Sequence, residues 1–76
     1  MYDYSKLKGR ITEKYDSQSA FAKALGIDDA YLSRLLNGKH ALTQKIITRF
    51  AELLEIPYTE IGIYFFKKKV DEMQTL

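Results

Sequence analysis

Four positions, Ala22, Gly26, Leu32 and Leu35, constrain what this chain can fold into more than any bulk property does. A small residue followed by a glycine one helical turn later ends a short helix and lets the next helix come close. Glycine takes positive φ there without the steric penalty of a Cβ. Two leucines three positions apart then anchor a second short helix against the first. Phe21, Leu25 and Ile27 supply further apolar contact. The spacing predicts two short helices joined by a tight turn.

The flanking sequence extends the helical reading in both directions. Tyr4, Leu7, Ile11 and Tyr15 recur at intervals of three and four, which predicts an amphipathic helix over 4–15. Asp16-Ser17 interrupts that pattern, and Ser17 is placed to cap a helix over Gln18–Leu25. After Gly26 and Ile27, Asp28 is expected to cap a third helix with Leu32, Leu35 and Leu36 inward and Asn37-Gly38 at its end. Thr43 is expected to cap a fourth helix carrying Ile46, Ile47, Phe50, Leu53 and Leu54. A shorter fifth helix is expected near Pro57, a residue favoured in the first helical turn, with Ile61, Tyr64 and Phe65 on its apolar face. Beyond Phe66 the pattern stops, and the tail reads equally as a frayed end, an extended arm or a short strand. No segment alternates with period two. The fold class is therefore all-α with five helices, in one domain over 1–66 followed by a basic tail over 67–76.

Composition narrows function. A chain of 76 residues buries only about 60% of the surface it exposes when unfolded, so one modest core is expected. That leaves no room for a separate catalytic or effector domain. There is no cysteine and His40 is the only histidine, so a metal site would rest on carboxylates alone and none is expected. No cofactor is expected either: the chain contains no phosphate-cradling glycine loop and no nucleophile elbow. Asp28 and Asp29 are adjacent helical positions that diverge by about 100°, which suits capping better than paired acid–base chemistry, and no enzymatic activity is expected. The opening residues lack a signal-peptide core and no stretch approaches the ~20 apolar residues of a membrane span, so a cytoplasmic protein is expected. Lys and Arg total 12 against 10 acids, a net charge of +2. The cations cluster in three places: Lys6, Lys8, Arg10 and Lys14; then Arg34, Lys39, Lys45 and Arg49 with His40; then Lys67, Lys68 and Lys69. The last run reads as a solvated tail or as a phosphate-binding arm.

The segments Gln18-Ser19-Ala20-Phe21-Ala22-Lys23-Ala24-Leu25-Gly26-Ile27 and Tyr31-Leu32-Ser33-Arg34-Leu35-Leu36-Asn37-Gly38-Lys39 resemble the helix-turn-helix of lambdoid-type phage Cro and repressor proteins. Through its opening, Tyr2-Asp3-Tyr4-Ser5-Lys6-Leu7, and the stretch Ile61-Gly62-Ile63-Tyr64-Phe65-Phe66, the whole chain is similar to short Cro-like regulators of phages of low-GC Gram-positive bacteria. The resemblance implies a compact five-helix, lambda-repressor-like domain whose third helix enters the DNA major groove. It also implies a homodimer on a pseudo-palindromic double-stranded operator with half-sites about 34 Å apart, acting as a repressor without a small-molecule effector. Some short members of the resembled family instead act as antirepressors by binding a partner repressor.

Helical geometry selects the candidate contact residues. With Leu32, Leu35 and Leu36 inward, Ala30 and Arg34 point outward, flanked by Ser33 and Asn37 on one side and Tyr31 on the other. Arg34 suits a bidentate contact to guanine O6 and N7, Ala30 a thymine methyl, and Asp29 a cytosine N4 donor unless it pairs with Arg34 or a nearby lysine. Gln18 and Ser19, in the first turn of the second helix, suit a phosphate. Asn37, Lys39 and His40 suit the backbone of the same half-site. In some members of the resembled family a first-helix arginine pairs with an acid in the third helix; here Arg10 faces the position of Leu36. The aromatics Tyr58, Tyr64, Phe65 and Phe66 exceed what a short terminal helix needs for its own packing, so part of this set is expected at a dimer seam.

Overall fold

Local chemistry at the helix ends explains most of the architecture. The computed structural model describes residues 2–68, and among these the order is α1 (Ser5–Tyr15), α2 (Gln18–Leu25), α3 (Asp29–Leu36), α4 (Gln44–Leu54), a single 3-10 turn (Tyr58–Glu60) and α5 (Ile61–Phe65). The Ser17 hydroxyl accepts from the Ala20 amide at 3.1 Å and the Thr43 hydroxyl from the Ile46 amide at 3.3 Å, so both expected caps form. Asp28 precedes α3, but its side chain accepts no hydrogen bond from the helix. The start of α1 is held instead by Asp3, whose carboxylate accepts from the Ser5 amide at 2.9 Å and the Ser5 hydroxyl at 2.7 Å. At Pro57 the chain makes the 3-10 turn before α5 begins, so the fifth helix is shorter and later than the sequence predicts.

Left-handed residues close α2, α3 and α4. Gly26, at φ +78°, ends α2 with bonds from its own amide to the Lys23 carbonyl at 3.1 Å and from the Ile27 amide to the Ala22 carbonyl at 3.0 Å. Gly38, at φ +76°, repeats the pattern after α3, with Gly38 N–H to Leu35 and Lys39 N–H to Arg34 at 3.3 and 2.8 Å. These are Schellman closures, which satisfy carbonyls a helix end leaves without partners. After α4 the same role falls to Glu55, a non-glycine at φ +54°. Arg10 of α1 supports that end: its Nε donates to the Leu54 carbonyl at 2.9 Å and its Nη2 to the Glu55 carbonyl at 3.1 Å. Lys14 adds an ion pair to the Glu55 carboxylate at 3.4 Å.

One core joins the helices. Leu7 and Ile11 enter from α1, Phe21 and Ala22 from α2, Leu32, Leu35 and Leu36 from α3, Ile47, Phe50 and Leu54 from α4, and Tyr64 and Phe65 from α5. Each fully buried large side chain contributes roughly 1.5–3 kcal/mol relative to leaving it in water. Rings run through the centre in series, Tyr15 to Phe21 to Phe50 to Phe65, with centroids 5.1, 5.0 and 6.1 Å apart and edge-on contacts at the last two steps. Such arrangements suit the ring quadrupoles. The burial of Tyr64 and Phe65 withdraws them from any intermolecular seam, whereas Tyr58 is 91% and Phe66 49% exposed. The segment after α5 pairs with the start of the chain: Tyr2 and Lys68 form an isolated antiparallel bridge, and the Asp3 amide donates to the Lys67 carbonyl at 2.6 Å. Lys69 and the rest of the tail to Leu76 lie outside the described residues. No helix among the described residues is long and apolar enough to cross a membrane.

Candidate nucleic-acid interface

The burial of Leu32, Leu35 and Leu36 fixes which way α3 faces. Ala30, Arg34 and Asn37 are exposed on its opposite side, with Tyr31 and Ser33 half-buried at the flanks. Asp29 is exposed at the amino end, and Lys39 and His40 in the loop that follows. Gln18 and Ser19 are exposed in the first turn of α2. The closure at Gly26 brings that turn beside the start of α3: the Ser19 hydroxyl donates to Asp29 Oδ2 at 2.7 Å. That bond joins the first turn of α2 to the leading end of α3, and of the ten candidate residues all but the half-buried Tyr31 and Ser33 are exposed.

The hydrogen bonds within this surface differ from what the sequence suggests. Asp29 takes Ser19, not Arg34 or a lysine, as its hydrogen-bond partner among the described residues. Asn37 Nδ2 donates to the Ser33 hydroxyl one turn earlier at 3.3 Å. Arg34 Nε donates to His40 Nε2 at 3.2 Å, and the His40 ring rests at 53° to Tyr31 with centroids 5.6 Å apart. Neither terminal amino group of Arg34 has a protein hydrogen bond among the described residues. A guanidinium held at Nε with both Nη groups available is a donor fork suited to a planar acceptor pair.

Lys45 and Arg49 extend the cationic side of this surface, and sequence reasoning did not single them out as contacts. They sit one turn apart on α4 and border a small cleft of about 140 Å³ floored by Leu25, Ile27, Tyr31 and Phe50. Their signal was present in the sequence as an i, i+4 pair off the apolar stripe of α4. Across the loop, the amino-terminal segment approaches α3 as well. Tyr2, Tyr4 and Lys8 share a cavity of about 560 Å³ with Asn37, Gly38 and His40. Nothing in a helical repeat announces that proximity, because Tyr2 precedes α1 and reaches its place by pairing with Lys68.

Along α3 and its flanks stand an arginine fork, two amide side chains, hydroxyls and cations, with Asp28 and Asp29 exposed at the leading end. Among the described residues, the free donors there include the two terminal amino groups of Arg34 and the ammonium of Lys39. Residues 1–68 match a family described as a protein of unknown function, DUF739. No curated protein matches the chain.

Proposed function

The chain belongs to the DUF739 family, whose description assigns no activity, and we propose from the residues exposed on α3 that the protein is a sequence-specific double-stranded DNA-binding regulator of the Cro-like type. In this reading α2 and α3 form a helix-turn-helix in a lambda-repressor-like domain, and α3 lies in the major groove. Two copies occupy a pseudo-palindromic operator with half-sites about 34 Å apart, and occupancy represses transcription by excluding a competitor. No cofactor or small-molecule effector enters; protein concentration alone sets occupancy.

The observation that carries the reading is the division of labour on α3: Leu32, Leu35 and Leu36 are buried, while Ala30, Arg34 and Asn37 stand in solvent. Arg34 reads guanine through its Nη fork, a contact worth about 1–3 kcal/mol of discrimination. Ala30 meets a thymine methyl and Asp29 accepts from cytosine. Lys39, Lys45 and Arg49 neutralise phosphates, while Gln18 and Ser19 fix register against the backbone. The exposed rings of Tyr2 and Phe66, packed edge to face at 5.7 Å, together with Ile63, form the homodimer seam.

In vitro selection from a random duplex library tests this, since it reports specificity, symmetry and half-site spacing together. Arg34→Ala should flatten base preference at one position of each half-site. Lys39→Ala should weaken binding to all sequences alike and lower the salt slope by about one. Failure to enrich any sequence would refute the reading.

A second reading is favoured by the acids Asp28 and Asp29 at the leading end of α3 and by the exposed apolar side chains Tyr58, Ile63 and Phe66. In it the chain is an antirepressor that binds a partner repressor instead of DNA. Gel shifts with and without that partner separate the two: binding by the chain alone with steep salt dependence supports the first, and no shift until the partner is added supports the second.

A further inference from the structure

An exposed arginine on a helix ordinarily sweeps a wide volume, and ordering it at a partner costs rotamer entropy. Arg34 is not left in that state. Its Nε donates to His40 Nε2 at 3.2 Å, and His40 is itself placed from two sides. On one side the Tyr31 ring lies 5.6 Å from the imidazole, centroid to centroid. Tyr31 is half-buried and borders the cleft formed with Leu25, Ile27 and Leu35, so its ring has a fixed footing. On the other side, the loop that carries His40 is tied to α3 by the closure at Gly38, in which the Lys39 amide donates to the carbonyl of Arg34 itself at 2.8 Å.

We propose that His40 is a positioning residue that selects how Arg34 presents its donors. A guanidinium can offer a bidentate pair side-on, through Nε and one Nη, or end-on, through Nη1 and Nη2. With Nε taken by an imidazole nitrogen, the end-on pair remains. The acceptor nitrogen carries no proton in this arrangement, so the imidazole proton sits on Nδ1. Base discrimination by Arg34 then depends on a loop residue that need not touch a base. The inference rests on the DNA-binding reading for its consequence, but the contact itself can be tested without DNA.

The first arm is NMR of the free full-length protein at mildly alkaline pH, following the Arg34 Nε–H resonance and its exchange with water. His40→Leu removes the acceptor and should shift the signal and speed its exchange. His40→Gln, whose amide oxygen can accept at similar reach, should restore it. The second arm uses the operator obtained by selection. His40→Leu should reduce discrimination at the guanine read by Arg34 about five-fold, the worth of one ordinary hydrogen bond. His40→Gln should recover most of the discrimination. An Arg34 Nε–H signal that is unchanged in His40→Leu overturns the contact. Discrimination that survives His40→Leu but falls in Arg34→Ala overturns the positioning role while leaving DNA binding intact. Absence of DNA binding by the wild-type chain, with the NMR contact present, overturns the function and the role together and leaves only the contact.

Discussion

Replacing Arg10 by methionine tests the account of how α4 is closed. Methionine keeps an unbranched apolar stem and removes the guanidinium. The bond from Nε to the Leu54 carbonyl, 2.9 Å and part-buried, is the principal loss, and a hydrogen bond from a charged donor contributes about 1.5–3 kcal/mol. The exposed bond to the Glu55 carbonyl at 3.1 Å and the cation at the helix carboxyl end add roughly 0.5–1 kcal/mol. The Arg10–Glu13 pair contributes close to nothing, because the Glu13 side chain is 66% exposed. The expected loss is about 2–4 kcal/mol, a large part of the roughly 4–11 kcal/mol a chain this size commands. Urea unfolding followed by far-UV circular dichroism should show a lower midpoint at unchanged slope, and Tm should fall by roughly 10–30 °C. Arg10→Lys, whose ammonium can serve one carbonyl at a time, should lose about half as much. A loss below about 0.5 kcal/mol in Arg10→Met would refute the capping argument.

Three further outcomes follow from backbone and burial. Glu55→Gly should stabilise the chain by about 0.5–1 kcal/mol, because relief of the left-handed conformation at φ +54° exceeds both the added chain entropy and the exposed pair to Lys14; a lower urea midpoint would contradict this. Gly26→Ala should cost about 1 kcal/mol through φ +78° alone, since an added Cβ meets nothing within 4 Å, and Gly26→Asn should cost less in the same assay. Burial, and secondarily the neighbouring Tyr2 phenol, raises the Tyr4 pKa above its usual 10.0. The folded chain therefore holds that proton longer than the unfolded one: the contribution is fully present below the usual 10.0 and is lost as pH rises through the raised value. Tyr4→Phe should make the alkaline decline in stability shallower, and an identical alkaline limb in both proteins would count against it.

Much of the scaffold was legible because its determinants are local. Ser17, Gly26 and Thr43 act within one turn of themselves, and the apolar spacing that defines α2, α3 and α4 is a property of each segment alone. The outward face of α3 was legible for the same reason, since three buried leucines fix its rotation. What escaped was nonlocal. Arg10 caps carbonyls 44 and 45 residues away, which no periodicity announces. Tyr64 and Phe65 looked surplus to a short helix and instead are buried in the core, Phe65 against Phe50. Around the candidate surface, Ser19 with Asp29 and Arg34 with His40 meet only because two glycine closures fold their backbones together. Side-chain partners of this kind depend on tertiary placement, and sequence spacing supplies the residues without the pairing.

The file of rings from Tyr15 through Phe21 and Phe50 to Phe65 draws on α1, α2, α4 and α5 and takes nothing from α3. Attachment of α3 rests on leucines whose side chains face away from Ala30, Arg34 and Asn37. The solvent side of that helix is consequently an interchangeable cassette. Its outward letters can be rewritten at the bench while the scaffold beneath keeps its shape.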